Sequence, residues 1–183
     1  MKYLFFDTET TGLPKNYHLP HTETSNWPRM VQLAFILSED GKILEQGEYI
    51  IIPRGFIIPD AAAQIHGIDT LRARREGVEI EEAIAHFQRL LENDEVTLVA
   101  HNFHFDKHIL GAEFARLNIY PKFFDLPALC TMVSQTKFFG KYPKLTDLHF
   151  ELFGRGFDNA HSALSDTLAC HDCFFELKKR NRI

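Results

Sequence analysis

Five side chains in this sequence have the types and spacing to do chemistry together. Asp7 and Glu9 lie two apart in Asp7-Thr8-Glu9-Thr10. Asp106 closes His101-Asn102-Phe103-His104-Phe105-Asp106, and His161 and Asp166 bound His161-Ser162-Ala163-Leu164-Ser165-Asp166. On a strand, residues two apart share a face, so Asp7 and Glu9 project together while Thr8 points the other way. Carboxylates gathered in one place raise each other's pKa and need compensation. A divalent cation supplies it, and a set of hard oxygen donors suits magnesium or manganese. His161 and Asp166 are five positions apart, which inside one helix would set them about 140° apart at roughly 100° per residue. His161 is therefore expected just before a helix, with Ser162 or Asn159 near its cap and Asp166 in the second turn. A histidine beside such carboxylates titrates near neutrality and suits general-base work.

Each motif alone also has a plainer reading. Asp-x-Glu is common at the solvated end of a strand. Asp106 in the first turn of a helix is stabilised by the helix dipole, and Asn102 can serve as a helix cap. His161 alone could be a surface loop histidine. The argument rests on all of them in one chain.

The elements that must position these groups follow from pattern. Residues 2–7 read as a buried strand ending in a polar tip. The stretch 12–28 carries Gly12, Pro14, Pro20, Asn26 and Pro28 and reads as a long loop. Met30–Leu37 is a second strand, and Asp40-Gly41 predicts a tight hairpin into a third at about 42–52. Helices are predicted over 59–66, started by Pro59 and stopped by Gly67, and over about 79–92, where Ile80, Ala83, Ile84, Phe87, Leu90 and Leu91 recur at helical spacing. A short strand, Val96–Ala100, leads into a helix from Asn102 to about Leu117. Residues 122–126 are expected to form the fifth strand and 163–179 the last helix. Three strands followed by helices alternating with two more predict an α/β fold, a mixed five-stranded sheet flanked by helices, in one domain spanning 1–183.

Bulk properties bound the partners. A chain of 183 residues can bury a substantial core, and its 17 phenylalanines supply large apolar filler. A net charge of −5 gives no overall basic field, so a nucleic-acid partner would be met by a local patch or by bound metal. Cys130, Cys170 and Cys173, without a secretory signal, point to a reduced, cytoplasmic protein, and no run is long enough to span a membrane. Cys170 and Cys173 fall with His171 in the last helix and are read as packing, not as a zinc site. His101, His104 and His108 are read as capping or surface residues. Trp27, in the long loop, is read as packing in preference to a base platform.

Together, Asp7-x-Glu9, Asn102-x-x-Phe105-Asp106 and His161-x-Ala163-x-x-Asp166 resemble, in order and approximate spacing, the three motifs of the DEDDh, or DnaQ-like, 3′–5′ exonuclease family. The likeness spans almost the whole chain. It implies a ribonuclease H-like fold and phosphodiester hydrolysis at the 3′ end of single-stranded DNA or RNA, DNA favoured, releasing nucleoside 5′-monophosphates. Asp7, Glu9, Asp106 and Asp166 would hold two Mg²⁺ or Mn²⁺ ions about 4 Å apart, with His161 as the base. Thr8, Thr11, His66, Asn102 and Phe105 fall where this family contacts substrate. In proofreading members an acid commonly lies five residues before the counterpart of His66; here that position is Ala61. A DNA polymerase is a further candidate partner, in a proofreading or repair role. Because the sequence ends soon after its last helix, a stand-alone nuclease or docking through the folded surface is expected. The competing readings are an RNA-trimming nuclease, a non-catalytic nucleic-acid-binding module of the same fold, and a small-molecule phosphodiesterase.

Overall fold

The structure is a computed structural model that describes residues 1–92 and 96–183. Its strands are β1 (Lys2–Thr10), β2 (Met30–Glu39), β3 (Lys42–Ile50), β4 (Val96–Ala100) and β5 (Ala128–Cys130). Its helices are α1 (Asp60–His66), α2 (Thr70–Glu76), α3 (Ile80–Leu91), α4 (Phe103–Arg116), α5 (Thr131–Ser134), α6 (Thr136–Phe139), α7 (Leu145–Phe153) and α8 (Ala163–Lys179). The sheet order is β3-β2-β1-β4-β5. The first three strands pair antiparallel, whereas β4 runs parallel to both β1 and β5. The carboxyl ends of β1 and β4 therefore open on the same edge, where ligands gather in sheets of this type.

β1 is the middle strand and is buried on both faces, which explains its unbroken apolar run. Leu4 and Phe6 pack with residues of α3 and α4 in one core. Tyr3 and Phe5 pack with Cys170 and Phe174 of α8 in the other. β1 continues three residues beyond the stretch 2–7 expected from sequence, so Asp7, Thr8 and Glu9 all obey strand alternation. The hairpin between β2 and β3 turns on Asp40 and Gly41, both at positive φ (50° and 87°), as a tight two-residue connection requires.

One predicted strand is corrected. Residues 122–124 form a 3₁₀ turn, and the fifth strand is Ala128–Cys130. Phe123 is spent as a core plug against Phe6, Phe87 and Phe114, and Phe124 stacks on His21. Pro127 has no N–H to donate, so ladder pairing starts at it, with its carbonyl accepting from the Leu98 N–H. Helices α2, α5, α6 and α7 have no counterpart in the sequence reading; each is short, and tertiary packing rather than periodicity stabilises such segments.

The long loop 12–28 is pinned from below. Glu113 of α4 is fully buried, and its Oε1 accepts from Arg29 Nε (2.9 Å), the Met30 N–H (3.0 Å) and Arg116 Nη1 (2.8 Å). Arg116 in turn donates to the carbonyls of Thr24 and Trp27. Trp27 is buried, with its indole N–H on the Pro20 carbonyl and its ring stacked on His108. It packs, as its residue type suggested. Replacing Glu113 by Ala would leave two guanidinium groups and a backbone N–H without their shared acceptor. The expected cost is about 3–5 kcal/mol, measurable by denaturant unfolding; a loss below about 1 kcal/mol would mean water replaces the carboxylate freely.

Candidate active site

The two faces of β1 set the site. Asp7 and Glu9 continue the Tyr3–Phe5 face and meet Asp166, which projects from the first turn of α8 and not the second. One carboxylate oxygen from each of Asp7, Glu9 and Asp166 lies within 4.8 Å of the others. Thr8 continues the opposite face and meets α4. Its N–H and hydroxyl both donate to Oδ1 of the buried Asp106, at 3.0 and 2.7 Å. The threonine between the two acids thus holds the third acid in place. Its hydroxyl hydrogen is committed to Asp106, which leaves only its oxygen for a substrate.

Gathering these acids pushes all four pKa values up. Burial is the largest cause at Asp7, followed by the charges of Asp106, Asp166 and Glu9. Glu9 is raised to about 8 by burial and then by Asp166 and Asp106. Asp106 is raised to about 7, burial outweighing the two Thr8 hydrogen bonds. Asp166 is raised by burial against the opposing hydrogen bond from the His161 N–H. A cluster of oxygen donors whose charges oppose one another in this way fits a hard divalent cation.

His161 stands before α8, as its spacing from Asp166 required. Its backbone is left-handed, φ 73°, a conformation costly for a residue with a Cβ. That geometry turns its N–H onto Asp166 Oδ2 at 3.1 Å, while its side chain lines a cleft of about 530 Å³ shared with His66 and Arg72. Ser162 occupies the N-cap position, but its side chain does not cap. Gln32 of β2 takes that role: its Oε1 accepts from the Ala163 N–H (3.1 Å) and its Nε2 donates to Glu48 (2.9 Å). Gln32 is the cross-strand partner of Glu9, so one residue ties both motifs to the sheet. A lone glutamine in the apolar run of β2 was the available sequence signal for it.

A second cleft, about 360 Å³, opens beside Glu9 and is walled by Thr8, Thr11, Ala61, His66 and Phe105 together with Leu13 and Ile65. Leu13 and Ile65, both exposed, were not singled out from sequence. Ala61 sits in this wall, so no acid enters the cleft from that position. Thr11 is engaged with Arg29, its N–H donating to the carbonyl and its hydroxyl accepting from the N–H. His66 is buried at the end of α1. Its Nδ1 accepts from the Ile68 N–H, so the proton resides on Nε2. That buried donor makes no well-formed hydrogen bond, the Thr10 carbonyl acting on it only weakly. Burial lowers the His66 pKa, which favours its neutral form. Asn102 does not reach this cleft. It sits at the start of α4 with a left-handed backbone (φ 69°), makes no side-chain cap, and borders a different cleft on the far side of the first turn. The expected capping hydrogen bond is therefore absent.

Residues 4–174 match the exonuclease family represented by ribonuclease T. The chain belongs to this exonuclease family. No curated protein sequence matches it. Among solved structures it is similar to exonuclease I, at 20% identity and a TM-score of 0.80 over 97% of this chain and 41% of that one. It is also similar to E. coli exonuclease I in complex with a dT13 oligonucleotide (20%, 0.80, 98% and 41%). The zinc-bound form of that enzyme's single-stranded DNA complex matches at 20% and 0.79, over 98% and 40%. The chain thus spans about two-fifths of the length of exonuclease I and shares its ribonuclease H-like fold. His101 is partly buried, which lowers its pKa to about 4, and it bridges Thr131 and the Pro143 carbonyl instead of serving as the capping or surface residue expected from sequence. Cys170 and Cys173 are buried, free thiols in α8. No helix among the described residues is long and apolar enough to cross a membrane.

The raised carboxyl pKa values have a consequence for stability. Glu9 passes from 4.5 when unfolded to about 8 when folded, and Asp106 from 3.8 to about 7. Across that window the folded chain holds protons that the unfolded chain has released, so stability falls as pH rises. Protein stripped of divalent ions should show a lower thermal midpoint at pH 8 than at pH 5.5, and added Mg²⁺ or Mn²⁺ should restore it. Glu9→Gln should flatten the dependence. A midpoint that rises with pH in the stripped protein would refute the charge cluster.

Proposed function

We propose that this chain is a 3′–5′ exonuclease that removes nucleoside 5′-monophosphates from the 3′ end of single-stranded nucleic acid. The observation that carries the reading is the convergence of Asp7, Glu9 and Asp166 beside a buried, hydrogen-bonded Asp106, in a chain that matches an exonuclease family over residues 4–174. DNA is the favoured strand, because exonuclease I, whose fold is shared, is seen with dT13. Proofreading or repair, with a polymerase as partner, is the setting such an activity would serve.

Asp7, Glu9, Asp106 and Asp166 would hold two divalent cations, Mg²⁺ or Mn²⁺. When bound, these would lower the pKa of the attacking water and stabilise charge on the phosphate and the departing 3′ oxygen. The chain's own residues do the rest. The His161 imidazole, beside Asp166, accepts the water proton. Thr8 holds Asp106 in its orientation without moving a proton. The terminal nucleoside lies in the cleft beside Glu9, its base against the apolar walls of Leu13, Ile65 and Phe105. The Nε2–H of His66 is the buried donor available to it.

A 5′-labelled single strand, as DNA and as RNA, tests the reading. Mg²⁺ or Mn²⁺ should yield a ladder shortening from the 3′ end, and EDTA should stop it. Asp7→Ala should abolish hydrolysis while the protein stays folded, since that residue is not core. Wild-type activity in the variant would end the site assignment. His161→Ala should lower turnover by on the order of a hundredfold or more; an unchanged rate at neutral pH would remove the histidine from proton transfer.

A further inference from the structure

A third cleft, the largest of the three described at about 640 Å³, lies across the first turn of α4 from the cleft beside Glu9. Phe105 faces the Glu9 cleft, whereas Asn102, His104 and Lys107 of the same turn face this one. His18 and Tyr142 line it from other segments, and among the described residues no carboxylate does. In a chain of net charge −5, a cleft of this size without an acid favours an anionic partner. Tyr142 belongs to Lys137-Phe138-Phe139-Gly140-Lys141-Tyr142-Pro143-Lys144, which puts three lysines and three aromatic residues in eight positions with no acid. Tyr142 is 63% exposed, so its ring faces solvent, whereas the Phe138 ring lies under the Arg182 guanidinium.

This segment is fastened to the end of β4, the strand that leads into α4 and Asp106. The partly buried, neutral His101 follows β4 directly; it meets the Pro143 carbonyl through Nε2 at 3.0 Å and Thr131 Oγ1 through Nδ1 at 2.9 Å. A carbonyl can only accept, so Nε2 carries the proton and Nδ1 takes the threonine hydroxyl. His101 thereby fixes Tyr142 and its flanking lysines relative to the motif that holds Asp106. On the other wall, His104 lies against His108 (4.2 Å), which stacks on the buried Trp27 (4.6 Å), so that wall is backed by packed rings.

We propose that this cleft and the Lys137–Lys144 segment form the track for the single strand upstream of the terminal nucleotide. Lys107, Lys141 and Lys144 would meet its phosphates and Tyr142 would stack on a base. Interleaved cations and aromatic rings suit a single strand because every base has a π-face and every linkage a charge. The proposal rests on the nuclease reading for its direction, since the strand would cross the first turn of α4 to place its end beside Glu9.

The test is fluorescence anisotropy of a labelled oligothymidylate of about twelve nucleotides, with Ca²⁺ in place of Mg²⁺, across a salt series. Lys141→Glu/Lys144→Glu and Tyr142→Ala should each weaken binding about tenfold, consistent with the stacking and phosphate contributions expected of a single strand. The double variant should also lower the salt slope by about 1.4, roughly 0.7 for each phosphate no longer neutralised. Tyr142→Phe, which keeps the ring, should bind as the parent does. These residues are exposed, and circular dichroism checks that the variants fold. Parent-like affinity and salt slope in both disruptive variants would overturn the track. Hydrolysis of the p-nitrophenyl ester of thymidine 5′-monophosphate, too short to reach the track, is read alongside. If the parent fails to cleave it but binds the strand through Tyr142 and the lysines, the nuclease reading falls and the track stands.

Discussion

Mutual repulsion among four carboxylates at the carboxyl end of β1 is the constraint on which the rest of this structure depends. Burial raises every one of them, and neighbouring carboxylates add to it at Asp7, Glu9 and Asp106, with Glu9 reaching about 8 and Asp106 about 7. No fold would bring such groups together for stability, because each is harder to ionise in the native state than in the unfolded chain. The cluster is maintained because the surrounding elements over-determine it. β1 is paired on both sides, and its apolar residues fill a core on each face. Asp106 and Asp166 arrive on the two helices that cover those faces. Strain of this kind, held by a rigid frame, marks a site whose chemistry needs a partner that supplies the missing positive charge.

The frame reaches the site through polar side chains placed inside otherwise apolar elements. Gln32 caps α8 from within β2 and pairs across from Glu9. Thr8 carries Asp106. Glu113 ties α4 to the loop that supplies Leu13, through Arg29 and Arg116. His101 ties β4 to the segment around Tyr142. Each is a hydrogen-bonded group in a low-dielectric setting, where satisfied polar contacts specify one arrangement and unsatisfied ones are expensive. Among the described residues two buried side-chain atoms stand outside this satisfaction, Glu113 Oε2 and His66 Nε2.

Much of the fold was legible in sequence. The apolar run of β1, the Asp40-Gly41 hairpin, the helical spacing of α3 and the extent of α8 each reflect a local rule that the structure obeys. The fifth strand was misplaced because Phe123-Phe124 has the composition of a strand but is used as a plug, a choice made by the core and not by the segment. Helices α2 and α5–α7 escaped because seven to nine residues or fewer carry too little periodicity to distinguish them from loop. The sequence left Ser162 and Asn159 as candidates near the cap of α8; the N-cap position is Ser162, but the acceptor comes from Gln32, more than a hundred positions away.

By itself the sequence determined that Asp7 and Glu9 share one face of β1, that Thr8 points to the other, and that His161 precedes the helix of Asp166, because strand alternation and helical pitch are local geometry. Only the tertiary structure decided what Thr8 points toward. Packing α4 on one face of β1 and α8 on the other sends Asp106 to the threonine and Asp166 to Asp7 and Glu9. It likewise decided that His101 is a partly buried strut and that Asn102 and Phe105, three residues apart, face different clefts. These outcomes depend on contacts between residues far apart in the chain, and such contacts exist only once the sheet and its two helical layers have closed.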